Sequence, residues 1–155
     1  MSNVFDVVVY GGTAGGVISA VTAAREGLHV ALLEPGNHLG GMVTGGLSAT
    51  DHGEKEVVGG CALEFYERLG RYYHREMEWY PEPNVAETVL HKMIQEAGDV
   101  TVFFQHRLKE NGGVTMKGRH IGEIRTENDR VLQAAIFIDA SYEGDLMAQV
   151  GVSYT

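Results

Sequence analysis

The feature that most restricts the fold of this chain is a glycine-rich segment, residues 11–16, which separates an apolar run from a stretch with helical periodicity. The apolar run, Val4 to Tyr10, is rich in β-branched residues and has no strict polar alternation, a pattern typical of a strand buried on both faces of a parallel sheet. After the glycines, small and apolar residues recur at helical spacing until Gly27. The segment therefore predicts a strand, a tight turn and a helix in immediate succession.

The residues after Gly27 complete a βαβ unit. His29 to Leu33 is a second short apolar run, and it is closed by Glu34, Pro35 and Gly36. Parallel strands joined in this way cross over with a right hand in almost all cases. The sequence therefore predicts an α/β fold of the Rossmann type, with Val4 to Tyr10 as its central strand.

Downstream of this unit the chain changes character twice. Residues 37–60 lose periodicity and form a long loop, and a helical excursion follows before the next strand, Val100 to Phe104. Three short β pieces then predict a small antiparallel meander, and a separate buried strand and a short helix come after it. The predicted ranges are Cys61 to Glu76 and Val85 to Glu96 for the helical excursion, Val114 to Met116, Ile121 to Arg125 and Val131 to Ala134 for the meander, Ala135 to Ile138 for the last strand, and Glu143 to Val150 for the short helix. No linker divides the chain, so residues 1–155 are expected to form one domain.

The glycine turn lies where a dinucleotide-binding fold places its phosphate loop, and the helix that follows offers amide hydrogens and a partial positive charge to a pyrophosphate. In the G-x-G-x-x-G register, Gly11 and Gly16 match and Thr13 takes the place of the middle glycine. Glu34 ends the second strand, 18 residues after Gly16, close to the roughly 20 expected for the acid that binds an adenosine ribose. A glutamate at this position disfavours a 2′-phosphate, and hence NADP.

Composition excludes two classes of partner. Against 12 Lys and Arg the chain has 21 Asp and Glu, a net charge of −9, which opposes broad electrostatic capture of nucleic acid or of an acidic membrane. The single Cys61 forms no internal disulfide, and no Cys/His cluster has metal-ligand spacing, so no metal is expected. Because no targeting segment is visible, we expect a cytoplasmic location.

Three hypotheses on function follow from the residues. NAD and FAD both contain an adenosine diphosphate, and proteins bind it in the same way in both cofactors. An NAD-dependent dehydrogenase and an FAD-dependent oxidoreductase are therefore both consistent with the glycine turn and Glu34. The long loop, helical excursion and meander are typical of flavoproteins and favour FAD. The third hypothesis is a non-catalytic nucleotide-binding or assembly module.

Three blocks in order resemble the FAD-dependent oxidoreductase family whose phosphate loop has the motif Y-G-G-T-x-A-G. They are residues 6–16, 38–51 and 138–148, and together they span nearly the whole chain. That family uses threonine at the position of Thr13. The order Ala14-Gly15 departs from the more usual Pro/Ala-Ala-Gly, and Ser141 stands where the family has threonine.

The resemblance implies the FAD-binding portion of an oxidoreductase, with a flavin that accepts hydride or electrons from a small organic substrate. The implied cofactor-binding residues are Gly11, Gly12, Thr13, Ala14, Gly15 and Gly16 for the pyrophosphate, Glu34 for the adenosine ribose, Gly40, Gly41 and Met42 for the ribityl and flavin side, Leu108 for the adenine, and Ala140 and Ser141 for the phosphate side. Family members are usually longer, so the chain is expected to be part of a larger flavoprotein with its substrate region elsewhere. Asp51, His52 and Glu54 are interpreted as a solvated loop, and no catalytic acid or base is assigned.

Overall fold

A computed structural model describes residues 3–47, 49–51 and 53–153 of the chain. It has six strands, four α-helices and two short 3₁₀ turns within these residues. In chain order they are β1 (Val4–Tyr10), α1 (Ala14–Arg25), β2 (Val30–Glu34), the 3₁₀ turns Gly41–Val43 and Lys55–Val57, α2 (Gly60–Tyr72), α3 (Pro83–Ala97), β3 (Val100–Phe104), β4 (Val114–Lys117), β5 (His120–Arg125), β6 (Val131–Asp139) and α4 (Asp145–Gln149).

The strands form one sheet in the order β3-β2-β1-β6-β5-β4. Neighbours among β3, β2, β1 and β6 are parallel, and β5 pairs antiparallel with both β6 and β4. Val8 of β1 pairs with Ala31 on one side and with Phe137 on the other, so β1 is an interior strand as predicted. The carboxyl ends of β2, β1 and β6 therefore meet at one edge of the sheet, where dinucleotide-binding folds hold their ligand.

Each face of the sheet packs against its own core. On one face, Val7, Val9 and Leu32 pack with buried side chains of α1, α2 and α3. On the other, Tyr10 and its neighbours pack with Leu108, with the meander and with Leu146 of α4. The helical excursion thus covers one face near the glycine turn, and the meander covers the other. Among the helices of the described residues, none combines the length and apolar character that a transmembrane span requires.

The predicted α/β fold with a parallel sheet and a meander is confirmed. Most predicted bounds lie within two residues of the observed ones, but two predictions are wrong by more than that. Residues 131–134 and 135–138 form one continuous strand, β6, because its first residues pair with β5 and the rest pair with β1. The predicted helix from Cys61 to Glu76 ends at Tyr72. After Tyr72 the chain folds back against the helix at Gly70. A Cβ on Gly70 would lie 2.7 Å from the carbonyl carbon of Glu76, so this close approach requires glycine.

Candidate dinucleotide-binding site

Gly11 and Gly16 allow three elements to meet at the end of β1. Gly11 has φ +102°, and a Cβ there would lie 2.7 Å from the backbone of Ala140 and Ser141. A Cβ at Gly16 would overlap the Gly11 carbonyl oxygen, so α1 approaches β1 more closely than any side chain permits. These glycines are required by the packing of the protein itself.

The first turn of α1 is open to solvent at Gly15. Gly15 is exposed, and a Cβ there would meet only the Thr13 hydroxyl, at 3.8 Å. The first amides of a helix have no intrahelical carbonyl to bind. The first turn of α1 carries no acidic side chain, so the positive end of the helix dipole is available to an anion such as a phosphate.

Thr13 joins the glycine turn to both neighbouring loops. It is the N-cap of α1: its hydroxyl oxygen accepts from the Gly16 amide at 3.2 Å, and the hydroxyl donates to the Ala140 carbonyl at 2.8 Å. On its other side Thr13 forms a β-bridge with Gly40, whose amide donates to the Gly12 carbonyl at 2.7 Å. The side chain of Thr13 is therefore engaged within the protein.

Glu34 lies directly beside the glycine turn, where the sequence places it. Its carboxylate accepts from the Gly12 amide at 2.9 Å and from the Gly36 amide at 2.6 Å, one bond to each oxygen. A carboxylate has about four acceptor sites, so each oxygen retains one for a further donor. The half-buried group thus fixes the turn and still offers acceptors to a pair of hydroxyls.

The turn after β6 is organised by Asp139, a residue to which sequence analysis gave no role. One carboxylate oxygen accepts from the Ser141 amide at 2.9 Å and from its hydroxyl at 2.7 Å, and the other accepts from the Met147 amide at 2.8 Å. The Ser141 hydroxyl oxygen in turn accepts from the Gly144 and Asp145 amides at 3.0 and 3.2 Å. The position of Asp139, at the end of a predicted strand and before two small residues, was the signal that could have identified it.

Leu108 is buried, and its amide donates to the Tyr10 hydroxyl oxygen at 3.1 Å. A tyrosine hydroxyl is protonated at neutral pH, and burial raises the pKa of Tyr10 further above that range. The backbone amide of Leu108 is therefore already paired, and its side chain is packed in the core, which leaves its carbonyl as the group that can meet an adenine.

Two cavities border this edge of the sheet. One, of about 580 Å³, is lined by residues that end or follow β1, β2 and β6, namely Tyr10, Pro35 and Ser141, together with Leu108 and residues of α4. The other, of about 280 Å³, borders Ala14 and Gly15 and has apolar walls from α2 and α3. Of the predicted site residues, Leu108 and Ser141 line the larger cavity, and Ala14 and Gly15 line the smaller one.

Other sequence candidates remain apart from this site. Asp51 and Glu54 are exposed in the long loop, while Ser48 and His52 lie outside the described residues. Within the described ranges, no group of three or more His, Cys, Asp or Glu side chains is arranged to hold a metal ion.

Comparison with protein families decides between the cofactors. Residues 6–155 match the model of a family described as FAD dependent oxidoreductase. This chain belongs to that FAD-dependent oxidoreductase family. Its cofactor is FAD, as predicted. A search of curated proteins found no match.

Solved structures of this oxidoreductase's fold are similar over almost the whole chain. L-proline dehydrogenase from P. horikoshii matches with a TM-score of 0.72 at 12% identity and covers 100% of this chain and 58% of its own. THI4 from Thermovibrio ammonificans matches with a TM-score of 0.67 at 19% identity, covering 97% of this chain and 64% of its own. A geranylgeranyl bacteriochlorophyll reductase-like protein from Thermoplasma acidophilum has a TM-score of 0.65 at 21% identity and covers 97% of this chain and 43% of its own. The chain thus spans less than two thirds of the length of each of these neighbours.

The residues of this flavoprotein chain fit the cofactor that its family implies. Gly15 leaves space at the positive end of α1, where a diphosphate needs it. Glu34 retains acceptor sites beside that turn. The larger cavity, of about 580 Å³, is bordered by Pro35, the residue after Glu34, and offers space for an adenosine.

Proposed function

We propose that this chain binds FAD at the carboxyl edge of β2, β1 and β6, and that the protein transfers hydride or electrons between the flavin and a small organic substrate. The observation that carries the proposal is the pairing of an open helix end at Gly15 with the Glu34 carboxylate, which is 2.9 Å from the amide of Gly12 in the same turn. One group is suited to a diphosphate and the other to a ribose diol.

Each part of the site has a binding role in this proposal. The glycine turn and first helical turn hold the pyrophosphate, and Glu34 accepts hydrogen bonds from the adenosine ribose. The loop from Gly40 to Met42 lies on the flavin side, Leu108 meets the adenine through its carbonyl, and Ala140 with Ser141 closes the phosphate side. The flavin supplies the redox chemistry, while the residues of this chain bind and orient it.

We further propose that residues 1–155 form the FAD-binding domain of a longer flavoprotein whose substrate region lies outside this sequence. The greater length of its structural neighbours supports this. The net charge of −9 and the single cysteine support a small-molecule substrate, no nucleic-acid or membrane partner and a cytoplasmic location.

The proposal is tested by titrating the purified chain with FAD and following the quenching of flavin fluorescence. Glu34→Ala is expected to weaken binding by about 1 to 3 kcal/mol through lost charged hydrogen bonds, and Gly11→Val to abolish it, because a branched side chain cannot enter the β1–α1 turn. Glu26→Ala is the matched control: Glu26 is exposed and caps the opposite end of α1. Its FAD affinity should equal that of the wild type.

Three results would reject this function. Equal FAD affinity in wild type, Glu34→Ala and Gly11→Val would show that the cofactor binds elsewhere. A rise in melting temperature with NADH but not with FAD would favour a nicotinamide enzyme, since only a ligand that prefers the native state stabilises it. Bound flavin that no organic donor reduces in the full-length protein would instead indicate a non-catalytic module.

A further inference from the structure

Tyr142 makes a contact across the proposed site that the function described above does not use. Its hydroxyl oxygen accepts a hydrogen bond from the Met42 amide at 2.8 Å. Its ring lies against Gly41, where a Cβ would overlap the hydroxyl, so only a glycine permits the approach. The side chain nevertheless stays 56% exposed and is not part of either core.

The backbone on both sides of this contact is fixed. Tyr142 follows Ser141, whose amide and hydroxyl both bind the Asp139 carboxylate. Met42 lies two residues after Gly40, whose amide is bonded to the Gly12 carbonyl. The phenol side chain is therefore the part of this contact that is able to move without breaking the framework.

The contact passes the open end of α1. Thr13, the N-cap of that helix, bonds to Ala140 on one side and pairs with Gly40 on the other. Tyr142 lies two residues after Ala140, and its hydroxyl bonds to Met42, two residues after Gly40. Tyr142 therefore links the same two segments as Thr13 does, two residues further along each of them. A dinucleotide that extends from Glu34 past the first turn of α1 towards Met42 meets this side chain.

We propose that Tyr142 is a gate of the cofactor groove: in the cofactor-free protein its hydroxyl holds the Met42 amide, and the side chain swings out when FAD binds. The freed amide of Met42 then becomes a hydrogen-bond donor to the cofactor. This inference rests on the proposed function and assigns a regulatory contact to the same site. Because a neutral hydrogen bond of this kind must break for FAD to bind, it lowers affinity by roughly 2- to 10-fold.

The test measures the contact without the cofactor and its effect with the cofactor. Hydrogen exchange of the segment containing Met42 is measured in the cofactor-free wild type and in Tyr142→Phe, which keeps the ring and loses the acceptor. FAD association is then followed by stopped-flow flavin fluorescence. Tyr72→Phe is the matched control, because Tyr72 is also exposed, at 47%, and stands at the end of α2 beside Lys92, among residues that take no part in the proposed site.

The gate predicts faster hydrogen exchange at Met42 in Tyr142→Phe than in the wild type, and FAD binding that is several-fold faster and tighter. FAD should bind to Tyr142→Ala at least as fast as to Tyr142→Phe. Tyr72→Phe should match the wild type in both measurements. Unchanged exchange at Met42, or weaker FAD binding in Tyr142→Phe or Tyr142→Ala, overturns the gate. If wild type and all variants bind FAD equally, the gate fails and the proposed function stands. If FAD binds to none of them, the function itself fails, and the gate with it.

Discussion

At the scale of single residues, the glycines between β1 and α1 are of two physical kinds. Gly16 is fixed by the protein, since a Cβ there would overlap the Gly11 carbonyl oxygen, a rigid backbone atom. Gly15, one position earlier, faces open space. The same motif therefore contains Gly16, which the packing of the fold requires, and Gly15, where the lack of a side chain leaves space for a ligand.

This difference is tested by replacing each glycine with alanine. Gly16→Ala is expected to lower the free energy of unfolding by about 1 to 3 kcal/mol, because α1 must move away from β1 to admit the methyl group. Gly15→Ala should leave stability equal or slightly higher, since alanine favours helix, yet weaken FAD binding, because its methyl group enters the phosphate space. Urea unfolding and FAD titration of both variants make the comparison. Equal stability loss in the two variants would contradict it.

How far the sequence predicts the site also depends on the residue. The place of Glu34 follows from spacing, because a strand of fixed rise and a tight turn leave little freedom in where its last side chain lies. The pairing of the Leu108 amide with Tyr10 was not predictable, since the two are 98 residues apart and meet only through packing. The role of Tyr142 was missed for the same reason: it depends on a turn that Asp139 builds and on a glycine 101 residues earlier.

At the scale of elements, the helices on one face are linked by a chain of four charges. Arg25 of α1 and Arg68 of α2 both bind Glu64 of α2, each with a closest approach of 2.7 Å, and Arg68 also binds Glu96 of α3 at 2.7 Å. The hydrogen bond from Arg25 is the main cause that lowers the pKa of Glu64 to about 2, from an ordinary value of 4.5. This network ties the helical excursion to the helix that forms the glycine turn.

The lowered pKa of Glu64 predicts how stability depends on pH. A carboxylate whose folded pKa is below its unfolded pKa stabilises the fold fully above about pH 4.5, and this contribution disappears as the pH falls towards about 2. Glu64→Gln should therefore lower the free energy of unfolding by about 1 kcal/mol at neutral pH, and the difference from wild type should shrink between those two values. Glu67→Gln, one turn of α2 away, is the control. A difference that stays constant down to pH 2 would contradict the assignment.

The elements themselves were predicted unevenly. β1 and β3 were predicted to the residue, because apolar β-branched runs with glycine or polar boundaries have few alternatives. The end of α2 was not, since residues 73–76 have ordinary helical composition. Nothing in them predicts that His74 takes a left-handed conformation, with φ +54°, or that the chain then folds back against Gly70. The continuity of β6 was missed because its two halves have different partners, and periodicity reports burial rather than pairing.

At the scale of the whole molecule, β6 connects the parallel sheet to the meander. Its Leu132 pairs with Ile124 of β5, and its Phe137 pairs with Val8 of β1. A strand without interruption carries both pairings, so the meander has no boundary at which to unfold by itself. We therefore expect the described part of the chain to unfold in a single cooperative transition.

A substitution in the meander tests this cooperativity from the opposite face of the sheet. Ile124 is fully buried, so Ile124→Ala should lower the free energy of unfolding by about 2 to 5 kcal/mol. The single tryptophan, Trp79, stacks on Tyr66 of α2 with ring centroids 4.3 Å apart, and so reports on the helical excursion. If the molecule is one unit, Ile124→Ala shifts the urea midpoint of Trp79 fluorescence and of circular dichroism together, whereas Thr115→Ala at an exposed site of β4 shifts neither. The opposite result is a loss of the β-sheet circular dichroism signal at a urea concentration where Trp79 fluorescence is still that of the native protein. It would show that the meander unfolds as a separate unit, because β6 would then separate from β5 while it stays paired with β1.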